Sequence, residues 1–151
     1  MARVIIQRAD FDAAVEGRAL TVGRRDIGAL VTFTGLCRDE NGRLAALELE
    51  HYPGMAEEEI GRVAQAASAR WQLLGLTVIH RYGKIAPGEQ IVLVAVASSH
   101  RAAAIEAADF IMDFLKTRAP FWKRGHHADG SMGVWVDAAE KDDAAASRWG
   151  A

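Results

Sequence analysis

The chain has 151 residues, half of them hydrophobic, and this length and composition suit one globular domain. Its 18 Lys and Arg residues against 20 Asp and Glu residues give a formal net charge of −2, which argues against a nucleic-acid-binding protein. No apolar run approaches the ~18 residues of a membrane-spanning helix, and the N-terminus lacks the apolar core of a secretory signal. The single cysteine, Cys37, excludes an internal disulfide, so we expect a cytoplasmic protein.

The first third of the chain alternates short apolar runs with turn residues. It predicts strands over residues 4–6, 29–34 and 46–51, and a helix over residues 11–17. Asp10 is expected to cap this helix, because its carboxylate can accept hydrogen bonds from the first free N–H groups. Asn41-Gly42 is typical of a tight turn between paired strands, so the second and third strands are predicted to form a hairpin.

The rest of the chain predicts two long helices and three strands. The helices are expected from residue 54 to about residue 71 and over residues 99–118, and the strands over residues 76–80, 91–97 and 134–136. The strands on either side of Pro87-Gly88 also resemble a hairpin, which predicts an α+β fold with antiparallel pairing. We treat residues 1–151 as a single domain with an acidic, alanine-rich tail over about 139–151.

Two cationic residues, His100 and Arg101, stand where the second long helix is expected to begin. A helix N-terminus already carries partial positive charge, so acidic residues are usual there. The stretch Ser98-Ser99-His100-Arg101 therefore suggests a site for an anion such as phosphate or carboxylate. The alternative is a serine that caps the helix, followed by two solvated side chains.

A second cluster of cations lies over residues 116–124, where four cations fall in nine residues without an acidic residue. Lys116 and Arg118 are explained by the negative end of the helix, but Lys123 and Arg124 lie beyond the proline, beside two aromatic residues. A lysine crowded by like charge and aromatic rings can act as a general acid, a general base or a nucleophile. The alternative is a solvated basic strip.

Other polar residues are weaker candidates. Arg38 follows a strand that ends at Gly35 and could bind a ligand from its loop. His51 shares a strand face with apolar residues, and both it and Cys37 are interpreted as buried structural residues. His126-His127 lacks the spacing of a helical zinc site, and no metal is expected.

Four strings of residues, taken in chain order, resemble the large, catalytic subunit of molybdopterin synthase. They are VTFTG at 31–35 followed by Arg38, HYPGM at 51–55, SSHR at 98–101, and FIMDFLKTRAPFWKR at 110–124. The match extends over nearly the whole chain, and the last string is long and unusual in composition. The sequence is therefore identified as similar to this family.

The resemblance implies an α/β hammerhead with an additional antiparallel β-sheet. It implies a homodimer at the centre of a heterotetramer with two small ubiquitin-like sulfur-carrier subunits, each of which ends in a Gly-Gly thiocarboxylate. The reaction would transfer two sulfur atoms to cyclic pyranopterin monophosphate and so make the dithiolene of molybdopterin. The transfer itself would need no metal or organic cofactor, and neither a nucleic acid nor a membrane would be involved.

The resemblance also implies which residues carry the chemistry. The catalytic lysines would be Lys116, as the central proton-transfer group, and Lys123. The substrate would be held by the two lysines together with Arg38, His100, Arg101, Phe33 and Met112. Because the carrier supplies the sulfur, this subunit has only to provide position, neutralising charge and proton transfer. We expect the five basic side chains to meet in one cleft.

Two positions depart from the family pattern. Cys37 stands where the family often has valine. Ala139 stands where an arginine often follows the Trp-Val-acid-Ala stretch and serves the neighbouring protomer's pocket. Lys141 or Arg148 could replace that arginine.

Two other functions remain open from the residues alone. The cationic pocket could belong to a non-catalytic module that holds a phosphorylated metabolite or an acidic peptide tail. Alternatively, the chain could bind a single-stranded nucleic acid by stacking bases on Phe121 and Trp122. The net charge and the acidic stretch after Asp137 argue against nucleic acid.

Overall fold

The computed structural model describes residues 2–136 and 149–150. The strands in this part of the chain are β1 Ala2–Gln7, β2 Ala29–Leu36, β3 Leu44–His51, β4 Gly75–Arg81, β5 Gly83–Ile85, β6 Gln90–Ser98 and β7 Phe121–His127. The helices are α1 Ala13–Thr21, α2 Met55–Trp71 and α3 Arg101–Thr117. None of these helices is long and apolar enough to cross a membrane.

The larger sheet has four strands in the order β1-β4-β6-β2. β1 pairs with β4 in parallel, whereas β4 and β2 both pair antiparallel to β6. Alternate residues of β4 and β6 face α2 and α3, and these layers enclose a core that includes Leu76, Val94 and Ile111. Ile79 and Leu93 point to the opposite face and pack with Leu20 of α1. The apolar run of β6 is central, as its sequence predicts.

The smaller sheet has three antiparallel strands in the order β5-β3-β7. Its buried side packs Leu44, Leu49 and Ile85 against Cys37, which follows β2. Two sheets with helices packed on the larger one confirm the predicted α+β class.

The predicted hairpin between the second and third strands is wrong. The tight turn itself forms, since Asn41 and Gly42 have φ values of 55° and 76°, and Asp39 Oδ1 accepts the Gly42 N–H at 3.0 Å. However, β2 pairs with β6 and β3 pairs with β5 and β7, so the two strands enter different sheets. A turn dipeptide fixes the local bend, but pairing between distant strands decides which sheet each strand joins.

The cap of the first helix also differs from the prediction. Asp12, and not Asp10, accepts the N–H groups of Ala14 and Val15, so α1 starts two residues later than expected. Asp10 instead accepts hydrogen bonds from the Phe11 N–H and the Gln90 side chain, which lower the pKa of its carboxyl. This contact with Gln90 at the start of β6 is invisible in the local sequence.

The C-terminal third contains a strand that the sequence does not predict, β7. The predicted strand over 134–136 reduces to one bridge, in which Val136 pairs with Lys123. The tail from 139 is described only at residues 149–150, where Trp149 packs its ring edge-on to Trp71 and Phe110. Ala139, Lys141 and Arg148 lie outside the described residues, so the replacement of the family's arginine by Lys141 or Arg148 stays a prediction.

Candidate active site

A cavity of about 450 Å³ opens where the end of α3 meets both sheets. This volume is within the usual range for small-molecule sites. Its apolar walls come from β2, β3, β6 and α3, and include Gly35, Leu49, Val92 and Met112. Its polar groups come from the end of α3, from β4 and from β7. The cavity therefore combines an apolar interior with a few side chains that can bind or transfer protons.

Lys116 and Lys123 reach this cavity from different elements. Lys116 lies in the last turn of α3, which ends at Thr117 with the Arg118 N–H donating to the Phe114 carbonyl at 2.8 Å. Pro120 then turns the chain into β7, whose pairing with β3 places Lys123 opposite Leu49 on the cavity side. Both lysines are exposed and also line the cavity, so these residues lie at its mouth.

Val136 forms the wall next to Lys123. Its N–H donates to the Lys123 carbonyl at 2.8 Å, and its carbonyl accepts the Lys123 N–H at 3.1 Å. These paired bonds fix the backbone of Lys123 on the side away from β3. The side chain of Val136 contributes to the lining of the cavity.

His80 is the buried polar group of the cavity wall. It ends the apolar run of β4, is 7% exposed and stacks on Phe121 with ring centroids 3.9 Å apart and planes inclined by 15°. Burial lowers the pKa of His80 to about 4, and the positive charge of Lys116 contributes to the shift. His80 is therefore neutral at neutral pH. The sequence does not mark it as a candidate, although a histidine near the end of a mostly apolar strand is the feature that could have revealed it.

Phe121 also links His80 to a second histidine. The ring of His51 lies 5.8 Å from Phe121 and 4.6 Å from Tyr82. The side chain of His51 is 7% exposed, so it is a buried residue, as its position among apolar neighbours predicts. The rings of Tyr82, His51, Phe121 and His80 thus form a column that joins the smaller sheet to the larger one.

Of the remaining residues that the sequence proposes for the site, Met112 lines the cavity. Phe33 lies on β2 beside Gly35, is 40% exposed and does not line it. Arg38 is exposed, two residues beyond Leu36 of the cavity wall. Met112 therefore joins Lys116 and Lys123 in the cavity, whereas Phe33 and Arg38 lie outside its walls.

His100 and Arg101 lie at the opposite end of α3. Fifteen residues separate Arg101 from Lys116, so the helix places them about 22 Å apart. Both His100 and Arg101 are exposed, and neither lines the cavity. The five basic residues therefore do not meet in one cleft within one chain.

The loop before α3 is held by Gly28. A side-chain Cβ at this position would lie 2.1 Å from the Ser99 carbonyl oxygen, and the Gly28 N–H donates to the Ser98 carbonyl at 3.0 Å. Only a residue without a side chain allows this approach. His100, the residue that caps α3, makes no side-chain cap bond, so its imidazole stays free of the helix backbone.

Two further expectations concern sulfur and metal chemistry. Cys37 is buried, which raises the pKa of its thiol and disfavours a reactive thiolate. His126 bonds through Nε2 to Glu48 Oε1 at 2.7 Å, and this contact helps to lower the pKa of Glu48. Among residues 2–136 and 149–150, no cluster of three or more His, Cys, Asp or Glu side chains could hold a metal ion.

A family model described as MoaE protein matches residues 6–118, which is well over half of the chain. The chain belongs to the MoaE family. The resemblance seen in the four sequence strings is thereby confirmed. Among the relatives, the molybdopterin synthase catalytic subunit of Mesorhizobium japonicum is 68% identical over 146 residues, which cover 97% of this chain and 92% of that protein.

Solved structures support the same family and fold. The molybdopterin biosynthesis MoaE protein from Burkholderia ambifaria is 46% identical, with a TM-score of 0.86 over 100% of this chain and 99% of its own. The molybdopterin synthase from Staphylococcus aureus is 27% identical, with a TM-score of 0.75 over 89% of this chain and 95% of its own. This MoaE chain therefore shares its fold with these structures.

Proposed function

We propose that this chain is the catalytic subunit of a molybdopterin synthase. It would transfer sulfur from the C-terminal thiocarboxylate of a small ubiquitin-like carrier protein to cyclic pyranopterin monophosphate. The observation that carries this proposal is the meeting of Lys116 and Lys123 at the mouth of one cavity in a member of the MoaE family. The cytoplasmic location expected from the sequence belongs to the same proposal.

The cavity supplies the chemistry that such a transfer needs from this subunit. The carrier brings the nucleophilic sulfur, so a thiol of the subunit itself is not required, and the burial of Cys37 agrees with this division. We assign Lys116 to proton transfer at the reacting carbon and Lys123 to a second acid–base step or to anchoring the substrate. Their positive charges also offset the phosphate and the thiocarboxylate.

Binding the phosphate and the pterin would draw on Arg38, His100 and Arg101 as well. Because His100 and Arg101 lie about 22 Å from Lys116 along α3, they would reach an occupied cavity only from a second copy of the chain. This arrangement makes the homodimer a requirement of the site.

An exposed apolar surface supports the second copy. Ile105 is 55% exposed and lies one helical turn from Arg101, on the same face of α3. Leu30 and Leu36, on the edge strand β2, are 41% and 56% exposed. Exposed apolar side chains on an edge strand are typical of a protein interface.

The test is a single-turnover assay with thiocarboxylated carrier and cyclic pyranopterin monophosphate. Lys116→Ala should lower the rate by roughly 100- to 10,000-fold, the usual contribution of a general acid or base. Lys84→Ala, which removes an exposed lysine on β5, is the matched control and should leave the rate unchanged. Substrate binding without any sulfur transfer by the wild-type chain would instead favour the non-catalytic binding module.

A further inference from the structure

His80 is a buried titratable group in the cavity wall that the proposed roles of the lysines leave unused. It lies between Ile6 of β1 and Val92 of β6 in the register of the larger sheet. Both residues that pair with it, Ile6 and Val92, are apolar. A polar ring there, in a cavity that Lys116 also lines, calls for a chemical explanation.

One hydrogen bond fixes which nitrogen of the ring carries the proton. The Nδ1 atom of His80 lies 2.8 Å from the carbonyl oxygen of Arg81. A carbonyl can only accept, so Nδ1 must be the donor. In a neutral imidazole, Nε2 then holds a lone pair, and no donor among the described residues forms a hydrogen bond with it. Nε2 of His80 is thus an acceptor in the cavity wall that these contacts leave available.

The ring cannot easily turn away. Its stack on Phe121 fixes the plane of the imidazole, and Phe121 is itself held in β7 by its pairing with His51 of β3. The bond to the Arg81 carbonyl fixes the rotation of the ring about its own axis. The position of Nε2 is therefore set before any substrate arrives.

Burial, assisted by nearby basic groups, keeps this ring neutral. Burial is the largest cause of its lowered pKa, and electrostatic interactions with Lys116 on α3 and with His51 on β3 act in the same direction. Lys123 on β7 adds another cation to the same cavity. A neutral imidazole beside an ammonium group is well suited to accept a hydrogen bond from it.

We propose that His80 is a positioning residue for Lys116, whose ammonium donates a hydrogen bond to His80 Nε2 once substrate fills the cavity. Lys116 is exposed in the free chain, so its long side chain samples many rotamers. A fixed acceptor in the wall reduces this freedom and holds the amine toward the reacting carbon. This inference rests on the proposed sulfur transfer and assigns a partner to its central lysine.

The experiment compares two substitutions in the sulfur-transfer assay. His80→Phe keeps an aromatic ring on Phe121 but removes the acceptor, whereas His80→Gln places an amide oxygen near the position of Nε2. We expect His80→Phe to lower kcat by about 10- to 100-fold with little change in KM, since a hydrogen bond to a charged group is lost. His80→Gln should recover most of that loss.

A double-substitution cycle separates positioning from packing. If His80 acts through the lysine, His80→Phe should cause no further loss in a Lys116→Ala background. Independent losses in the two backgrounds, or equal losses for the Phe and Gln variants, would overturn the proposal. A wild-type chain that fails to transfer sulfur at all would instead refute the proposed function.

A measurement on the unsubstituted protein keeps the inference testable whether or not the variants fold. Nitrogen-15 NMR of histidine-labelled chain at pH 7 should show His80 neutral, with its proton on Nδ1. The Nε2 signal should shift when substrate is added, as a new donor approaches. A ring that is protonated at pH 7, or an Nε2 signal that ignores saturating substrate, would contradict the proposal.

Discussion

The two ends of α3 carry basic residues in different surroundings. At the N-terminal end, His100 and Arg101 are exposed, they follow a loop fixed by Gly28, and neither lines the cavity. At the C-terminal end, Lys116 stands over a cavity with buried walls, a neutral histidine and a second lysine. The comparison shows that a cationic cluster in the sequence does not identify a complete site. In the proposed function, the C-terminal end would serve the reaction in this cavity, and the N-terminal end would serve the cavity of a second copy.

The largest expected effect comes from placing substitutions at the two ends of α3 in different chains of one dimer. Chains with Lys116→Ala and chains with His100→Ala and Arg101→Ala should each lose about 100-fold or more in single-turnover sulfur transfer. A mixed dimer, purified through one tag on each chain, has one site that lacks both sets of groups and one site that retains both. It should recover about half of the wild-type activity if the two ends act across a twofold axis.

The control for this experiment is a mixture of two differently tagged Lys116→Ala chains, which should stay inactive. If both ends of α3 served the same site within one chain, every site in the mixed dimer would be defective. A mixed dimer without activity would therefore remove the two-copy arrangement while leaving the role of Lys116 intact.

The next effect concerns His80 in the cavity wall and the free energy of unfolding at low pH. The pKa of His80 is about 4 in the folded chain against an ordinary value of 6.5, so the unfolded chain binds a proton first as pH falls. The free energy of unfolding should therefore decrease by about 3 kcal/mol on this account between pH 7 and pH 4.

Urea unfolding of wild type and His80→Phe at several pH values measures this contribution. The carboxylates and the other histidines titrate in both proteins, so the difference between the two curves isolates His80. The difference in the free energy of unfolding between the two proteins should be constant above pH 7 and change below pH 6.5. Parallel curves across the whole range would show that His80 is solvated in the folded chain.

A third effect concerns the N-terminal end of α3. Gly28→Ala would bring a methyl group against the Ser99 carbonyl, so the loop must move, at a cost of about 1–3 kcal/mol. Gly61→Ala is the matched control, because its Cβ would meet open space on α2 and helix propensity favours alanine. Thermal unfolding should separate the two variants. Equal stabilities would mean that the loop before His100 adapts freely.

The smallest effect is expected at Cys37, a residue away from both ends of the helix. Its thiol is buried and its pKa is raised, so Cys37→Ser should keep the rate of sulfur transfer within about twofold of wild type. The buried hydroxyl should cost about 1 kcal/mol in stability. Loss of transfer by a folded Cys37→Ser chain would indicate a sulfur relay through this thiol.

The sequence predicts the long elements and one half of the site. The apolar run of β6 and the helical spacing of α2 and α3 are strong local patterns, and they appear in the structure within a few residues of their expected bounds. The cations around Pro120 indicate a basic segment, the family resemblance assigns Lys116 and Lys123 within it, and both lysines line the cavity.

The parts that the sequence does not predict depend on distant pairing. β7 contains cations, tryptophan and histidines, and it is a strand because β3, more than seventy residues earlier, pairs with it. The proposed role of His80 depends on Phe121 and Lys116, which belong to other elements of the fold. The expected meeting of all five basic groups ignored the length of the helix between residues 101 and 116. That length follows directly from the rise per residue.

The alternation of β7 limits how this stretch of chain can change. Phe121 and Lys123 face the cavity, whereas Trp122 packs against Tyr52 and Arg124 bonds to Glu48 on the reverse side of the sheet. Inserting or deleting one residue between Pro120 and Lys123 would swap the two sets, so that an indole and a guanidinium replaced the ring and the amine. A point substitution here therefore changes one side chain at a time, whereas a change of length would remove both Phe121 and Lys123 from the cavity at once.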